Sequence, residues 1–218
     1  MNTSYFRIGA IGMILIAIMA PIHWAIHILG WMYILPTGPF ALIFPLLLIT
    51  AIGLYVGFIL AGIGSFGYYR AYNLTWGLVG LLIPILFSWA LMLVEVDYFI
   101  AFWTSLPSIP PLFYPIIISN ELVFWVLKDT VIAFTPILWS IAVFLVASHT
   151  DNKRRTQIAG TLLLASGIAY LPQIYLDLVG GTLIPYIIVI STGTVLLCLA
   201  ALLNSLVFLS EKSPKLSA

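Results

Sequence analysis

Two histidines near the start of this 218-residue chain are the side chains whose type and spacing best suit chemistry. His23 and His27 lie four residues apart in an apolar run, so a helix places them on one face. Imidazole can bind a transition metal or haem iron, accept a proton, or hydrogen-bond to a quinone. We therefore predict a metal or cofactor site at His23 and His27. The alternative is two neutral histidines that hydrogen-bond within the protein.

Glu95 is a third candidate ligand, because carboxylate and imidazole side chains together suit several transition metals. The alternative is an acid in water at the membrane interface. The remaining histidine, His149, is predicted at the opposite end of the helices and so not beside His23. The site then has four possible occupancies: one haem with a non-histidine or partner-supplied ligand, a single metal ion, a quinone, or no cofactor.

A charged segment in the fourth apolar stretch is a candidate part of a proton path. Glu121 and Lys128 are seven residues apart and share a helix face, while Asp129 is turned away by about 100°. Ionisable side chains inside a membrane are costly, and they often mark proton or substrate pathways. The alternative is an ion pair between Lys128 and an acid that fixes helix packing.

A polar stripe in the fifth apolar stretch extends this predicted path. Four polar residues follow one another at spacings of four, three and four, so one helix face carries them all: Ser166, Tyr170, Gln173 and Asp177. Such a stripe lines a path for protons or substrate, or it joins helices through hydrogen bonds. The predicted proton path comprises Glu121, Lys128, Asp129, Tyr170, Gln173 and Asp177.

The composition is that of a membrane protein. Hydrophobic residues make up 63% of the chain and charged residues only 7%, against about 25% in a soluble domain. The lipid bilayer is therefore the expected surrounding of the chain. A net charge of +1 provides no surface for nucleic acid, so we predict no such partner. The single cysteine, Cys198, excludes an internal disulfide.

Six apolar stretches are long enough to cross a bilayer as helices, since a span needs about 20 residues. We predict one all-α membrane domain over residues 1–218, with spans at about 7–29, 40–64, 74–94, 119–148, 156–178 and 183–209. Each span contains a proline, which predicts a kink rather than a helix end. In the second span, small residues at helical spacing predict a close packing seam: Gly53, Gly57, Ala61 and Gly64.

Lysine and arginine predict the orientation, because cytoplasmic loops of membrane proteins are enriched in them. Seven of the eight basic residues fall on one side of six spans, and the exception is Lys128 within the fourth. Both termini are therefore expected in the cytoplasm, with the chain in the cell membrane. A short loop at 67–73 is predicted on that side. The longest connection, at 97–118, is predicted on the outer side, together with His23 and most acids.

The gathering of His23, Glu95 and the acidic side chains near the outer leaflet leads to a functional hypothesis. We predict an integral membrane subunit of an electron-transfer or respiratory assembly that holds a haem, a transition metal or a quinone near that leaflet. Other membrane or extracytoplasmic subunits are its expected partners. One alternative is a small proton-coupled transporter or channel, and another is a structural or assembly protein without a cofactor. No motif identifies a reaction, so no catalytic residue is predicted.

Overall fold

The computed structural model describes residues 4–37, 40–105, 121–179 and 183–211, which form α-helices and turns and contain no strand. Six helices follow one another: α1 (Ser4–Thr37), α2 (Phe40–Tyr72), α3 (Thr75–Ser105), α4 (Glu121–Ala147), α5 (Lys153–Val179) and α6 (Leu183–Ser210). The predicted all-α fold is confirmed. The prolines of the six spans lie within these helices and end none of them, as the sequence predicts.

Within the described residues, five helices are long and apolar enough to cross a membrane: α1, α2, α4, α5 and α6. In α3 the corresponding apolar stretch is Thr75–Trp89, and the helix continues beyond it to Ser105. Large apolar side chains such as Leu86 and Ile184 are mostly exposed on the outside of the bundle, where lipid would cover them. The chain is thus a multi-pass membrane bundle.

The helices form a closed ring in which each packs against its neighbours in sequence. α1 contacts α2, the series continues to α6, and α6 packs against α1. Short turns join α2 to α3, at Asn73–Leu74, and α4 to α5, at residues 148–152, so these pairs are antiparallel. Contacts of α1 with α2, such as Gly9 with Gly64 and Gly12 with Gly57, show the same antiparallel order. The starts of α1, α3 and α5 therefore lie on one side, next to the ends of α2, α4 and α6.

Two predicted loops are partly helical. α2 remains helical to Tyr72, although the sequence predicts a loop from residue 67. Asn73 closes α2 with a φ of 55°, a left-handed conformation that asparagine tolerates better than most residues. Its N–H donates to the Tyr69 carbonyl at 2.9 Å. α3 likewise extends to Ser105 into the predicted outer connection, and the rest of that connection lies outside the described residues.

α1 and α2 meet along a seam of small residues. Gly9 of α1 faces Gly64 of α2, and Gly12 faces Gly57 and Ala61. This confirms the packing seam predicted in the second span and shows that glycines of α1 form its other side. Because the two backbones are in contact over several turns, the seam fixes the register that places the more distal residues of α1 and α2 opposite each other.

Cationic side chains mark one end of the ring, which we call the basic end: Arg7, Arg70, Lys153, Arg154 and Arg155. They lie in the first turns of α1 and α5 and the last turn of α2, and the up-and-down order of the helices brings these turns to one side. We call the opposite end the distal end. The sequence predicts these five basic residues on one side, and the order of the six helices groups them there.

Large apolar side chains fill the middle of the ring. The ring centroids of Phe58 and Trp139 are 6.1 Å apart, and both side chains are almost fully buried. Ile16 of α1 lies against Gly57, the residue before Phe58, belongs to the same buried core and is fully buried. We call these residues, Ile16, Phe58 and Trp139, the middle layer. Ile16 precedes His23 by seven residues, so the middle layer lies about 10 Å from His23 along α1.

Candidate functional site

His23 is buried in the distal half of the ring, with 7% of its surface exposed, and α2 fixes the orientation of its imidazole. Its Nδ1 lies 3.0 Å from Oγ1 of Thr50. The Thr50 hydroxyl has a single proton, and it lies 2.9 Å and 3.0 Å from the carbonyl oxygens of Leu46 and Leu47. When that proton points to the backbone, His23 donates from Nδ1–H to Thr50, and Nε2 carries the lone pair.

This tautomer suits chemistry at Nε2. A histidine that binds a metal or haem through one nitrogen usually donates from the other to an oxygen, which fixes the ring. A nitrogen with a lone pair also accepts a proton or a hydrogen bond. Sequence reasoning selects His23 but misses Thr50, because a single threonine in an apolar run is a weak signal. His23 and Thr50 are 27 residues apart in the sequence, and their contact follows only from the register of α1 against α2.

Tyr170 of α5 lies at the same height in the ring, with 2% of its surface exposed. Its hydroxyl is 2.9 Å from Oγ1 of Thr194 on α6. The indole of Trp24 is also within hydrogen-bonding reach of this hydroxyl, so α1 contributes a donor. The imidazole of His23 and the indole of Trp24 stand edge to face, with ring centroids 5.9 Å apart.

These contacts define a polar group that we call the distal cluster: His23, Trp24, Thr50, Tyr170 and Thr194. It joins four helices, α1, α2, α5 and α6. A hydrogen bond between helices of a membrane protein contributes about 0.6 kcal/mol on average. The contacts therefore hold the cluster in place, and they bring a base and a phenol hydroxyl to the same region of the bundle interior.

Gln173 and Asp129 lie further towards the distal end, each with 1% of its surface exposed. Gln173 continues the buried face of Tyr170, and its Oε1 has no hydrogen-bond partner within the described parts of the chain. α4 and α5 are antiparallel, with Gly167 against Ala133. One more turn along this register brings Asp129 near the level of Gln173. The structure thus places three predicted path residues, Tyr170, Gln173 and Asp129, in the interior.

Five predicted site residues have side chains that lie outside the described part of the structure: His27, Glu95, Glu121, Lys128 and Asp177. Their backbones belong to α1, α3, α4, α4 and α5. The predicted pairing of Lys128 with an acid, and the predicted ligand set of His27 and Glu95 with His23, remain predictions.

The described side chains do not by themselves assemble a metal site, because no group of three or more His, Cys, Asp or Glu occurs among them. His149 lies in the turn after α4, where its Nδ1 is 2.8 Å from Oγ of Ser148. That turn is at the basic end, far from His23, as the sequence predicts. Cys198 is a half-buried free thiol within α6.

A buried carboxylate at the basic end has no counterpart among the predicted sites. Glu211 follows the last residue of α6, and its side chain is 5% exposed. The hydroxyls of Tyr68 and Tyr72 donate to its two oxygens at 3.4 Å and 3.2 Å. Burial raises the pKa of Glu211 to about 7, and the negative charge of Asp151 acts in the same direction. The two tyrosine hydrogen bonds oppose this rise.

A small cavity lies beside Tyr68. It has a volume of about 20 Å³, which matches a single water molecule. Ser65, Asn204 and Thr156 contribute polar groups to its wall, and Trp139 of the middle layer also lines it. Polar side chains therefore occur towards both ends of the ring, with large apolar residues between them.

Comparison with known proteins identifies no relative. No family model matches the chain, and neither a curated protein nor a solved structure shows significant similarity to it. The chemistry of the distal cluster is therefore the basis for assigning a function. That cluster offers a buried imidazole whose Nδ1 contacts a hydroxyl, together with a phenol hydroxyl. A buried acid and a buried amide lie further towards the distal end.

Proposed function

We propose that this chain is an integral membrane subunit of an electron-transfer assembly and that it binds a quinol at His23. The observation that carries the proposal is the contact between Nδ1 of His23 and Oγ1 of Thr50, which favours the tautomer with the lone pair on Nε2 when the Thr50 proton points to the backbone. Cytoplasmic loops of membrane proteins are enriched in basic residues, so in this proposal the basic end faces the cytoplasm and the distal end faces outward. Both termini then lie on the cytoplasmic side of the cell membrane.

The side chains of the distal cluster offer hydrogen-bonding groups that a quinol headgroup could use. A quinol hydroxyl needs an acceptor, and Nε2 of His23 supplies one in an apolar environment. When bound, the quinol would supply two electrons and two protons as it is oxidised to the quinone. Nε2 of His23 would accept the proton of one hydroxyl while Nδ1–H stays hydrogen-bonded to Thr50, so the charged imidazolium would remain partnered. His23 would pass that proton to Asp129, the buried acid further towards the distal end, and would then accept the proton of the second hydroxyl.

The electrons must leave the chain, which has no motif for a second redox centre. We therefore include in the proposal a membrane or extracytoplasmic partner subunit that accepts them at the distal end. Haem or metal ligation by the same Nε2 atom is the competing form of this function. It would need further ligands from His27, Glu95 or a partner.

Quenching of tryptophan fluorescence tests the proposal, because Trp24 lies beside His23. The detergent-purified full chain is titrated with a short-chain benzoquinone and a short-chain naphthoquinone. We expect saturable quenching that His23→Ala removes. Thr50→Val should weaken binding about three- to tenfold, as expected for one lost hydrogen bond. His149→Ala is the matched control and should bind like the unaltered chain.

An absorption spectrum of the oxidised and reduced protein, with metal analysis of the same sample, separates the competing forms. A Soret band or a stoichiometric metal would indicate a haem or metal site instead of a quinol site, provided that the double variant His23→Ala/His27→Ala loses it. Both quinol binding and haem or metal ligation at His23 would be contradicted by two results together. The sample would contain no chromophore or metal, and His23→Ala would show the same fluorescence quenching as the unaltered chain.

A proton-coupled transporter is the second candidate function. The middle layer separates buried polar groups at the two ends of the ring, an arrangement that suits a solute path closed in its centre. Proton-driven uptake into proteoliposomes should then depend on the polar face of α5. Asp177→Asn and Gln173→Leu are expected to abolish uptake, whereas Gln157→Leu, on the exposed face, should not. Uptake that Asp177→Asn leaves intact would count against this role.

A further inference from the structure

Glu211 lies where α6 ends, at the basic end of the ring and beside α2. The Tyr68 hydroxyl donates to Oε1, and the Tyr72 hydroxyl donates to Oε2. Tyr68 and Tyr72 are one turn apart on α2, and their rings are stacked with centroids 6.3 Å apart. The carboxylate thus joins two helices that are not neighbours in sequence, and each of its oxygens has a different tyrosine donor.

The other charged groups around Glu211 are few. Asp151, in the turn between α4 and α5, acts on it in two opposed ways: its negative charge raises the pKa of Glu211, and its backbone N–H donates a hydrogen bond that lowers this pKa. Its neighbour Asn152 donates to Ser210 at 2.7 Å, which holds that turn against the end of α6. From α1 and α5 the charged side chains at this end are the exposed cations of the basic end, among them Arg7. Within the described residues, none of those cations forms an ion pair with Glu211.

We propose that Glu211 is a proton-binding site at the basic end of the ring, with Tyr68 and Tyr72 as the hydrogen-bond donors that hold its ionised form. A carboxylate accepts hydrogen bonds at both oxygens, whereas a protonated carboxyl becomes a donor at one of them. Proton uptake therefore weakens the hydrogen bonds that the carboxylate accepts, those from Tyr68 and Tyr72 of α2 among them. The occupancy of the site changes the link between α2 and α6.

Two further observations support the site. The pKa of Glu211 is raised to about 7 by burial, so the carboxyl changes its charge near neutral pH. Tyr68 also lines the water-sized cavity together with Ser65 and Asn204, so polar groups continue from the carboxylate into the bundle. The site lies at the end opposite His23, so replacing Glu211 leaves the distal cluster intact.

An infrared titration of the full chain in detergent tests the site, because the protonated carboxyl has its own carbonyl band. We expect one carboxyl that titrates near neutral pH and that Glu211→Gln removes. Tyr72→Phe removes a donor to the carboxylate and should raise the midpoint by about one pH unit. Tyr68→Phe should raise it by less, because its hydrogen bond is longer. Asp151→Asn should lower it.

Tyr69→Phe is the matched control, since Tyr69 lies on the same helix and stacks on Phe66, away from Glu211. It should leave the midpoint unchanged. A Glu211 carboxyl that titrates at its ordinary value near 4.5 would overturn the proposal. So would a midpoint in Tyr72→Phe that equals the one in Tyr69→Phe. If Glu211→Gln does not fold, the titration midpoints of Tyr72→Phe and Tyr69→Phe still test the proposal, because only the first should be raised.

Discussion

Gly9 on α1 and Gly64 on α2 are in direct backbone contact. A Cβ atom built on Gly9 would stand 2.4 Å from the Cα of Gly64, and one built on Gly64 would stand 2.5 Å from the Cα of Gly9. Real Cβ atoms essentially never come this close to another backbone, so this helix separation requires glycine on both sides. The close contact continues at Gly12, one turn further along α1.

Gly12→Ala should destabilise the protein by about 1–3 kcal/mol, because overpacking a tight contact forces the backbones apart. The added methyl group would lie 2.4 Å from the amide nitrogen of Ala61 and 2.6 Å from the carbonyl oxygen of Gly57. Gly160→Ala is the control, since the three atoms nearest to its methyl group belong to the Phe144 ring, the closest at 3.2 Å. Unfolding in detergent measures both variants. Equal stability of the two would refute the seam as a rigid contact.

Thr50→Val should release the tautomer of His23. Valine has nearly the shape of threonine but cannot accept the Nδ1–H hydrogen bond, so the buried donor loses its partner. Nitrogen-15 NMR of histidine-labelled protein should show a defined Nδ1–H tautomer in the unaltered chain and a mixture in the variant. Thr192→Val is the control, because Thr192 is exposed on α6 and donates within its own helix. An unchanged His23 signal in Thr50→Val would contradict the assignment.

The Tyr170–Thr194 contact should contribute a measurable coupling between α5 and α6. A double-mutant cycle with Tyr170→Phe and Thr194→Val isolates it, and we expect about 0.5–1.5 kcal/mol. Both replacements keep the side-chain shape, so packing changes largely cancel in the cycle. Additive losses of stability, with no coupling, would show that the 2.9 Å hydroxyl contact does not hold the helices together.

Stability should fall as pH rises from about 4.5 to about 7 because of Glu211. Its pKa is higher in the folded chain than in the unfolded one, so in this range the folded chain binds the proton more tightly. The stabilisation is therefore complete at lower pH and is lost as pH passes through the folded pKa. Thermal unfolding of the unaltered chain and of Glu211→Gln measures the effect. The variant should lack this part of the pH dependence, and identical profiles would contradict it.

The number of helices and the α1–α2 seam could be predicted from the sequence because both depend on local patterns. Long apolar runs determine the helices, and small residues at helical spacing indicate close packing. Helix ends were less predictable: α2 continues past the aromatic residues after position 67 because nothing before Asn73 stops a helix. The prolines of the six predicted spans end no helix, as expected, and the kinks at these prolines stay a prediction.

The partners of the site residues could not be predicted, because they come from distant parts of the chain. His23 was selected from its type, but its contact with Thr50 depends on the register between two helices. Glu211 follows an apolar run and has no pattern around it that marks a site. Its burial results from two tyrosines of α2, and that relationship is not visible in the sequence around residue 211.

The middle layer also determines how the bundle responds to an electrical potential across the membrane. Voltage drops most steeply where few polar groups can reorient, and Phe58 and Trp139 form such a zone between Glu211 and His23. A charge that moved between Glu211 and His23 would cross this part of the membrane potential. Its energy in the field would change by up to about 2.3 kcal/mol per 100 mV. A proton bound at either end alone would feel only a fraction of the voltage.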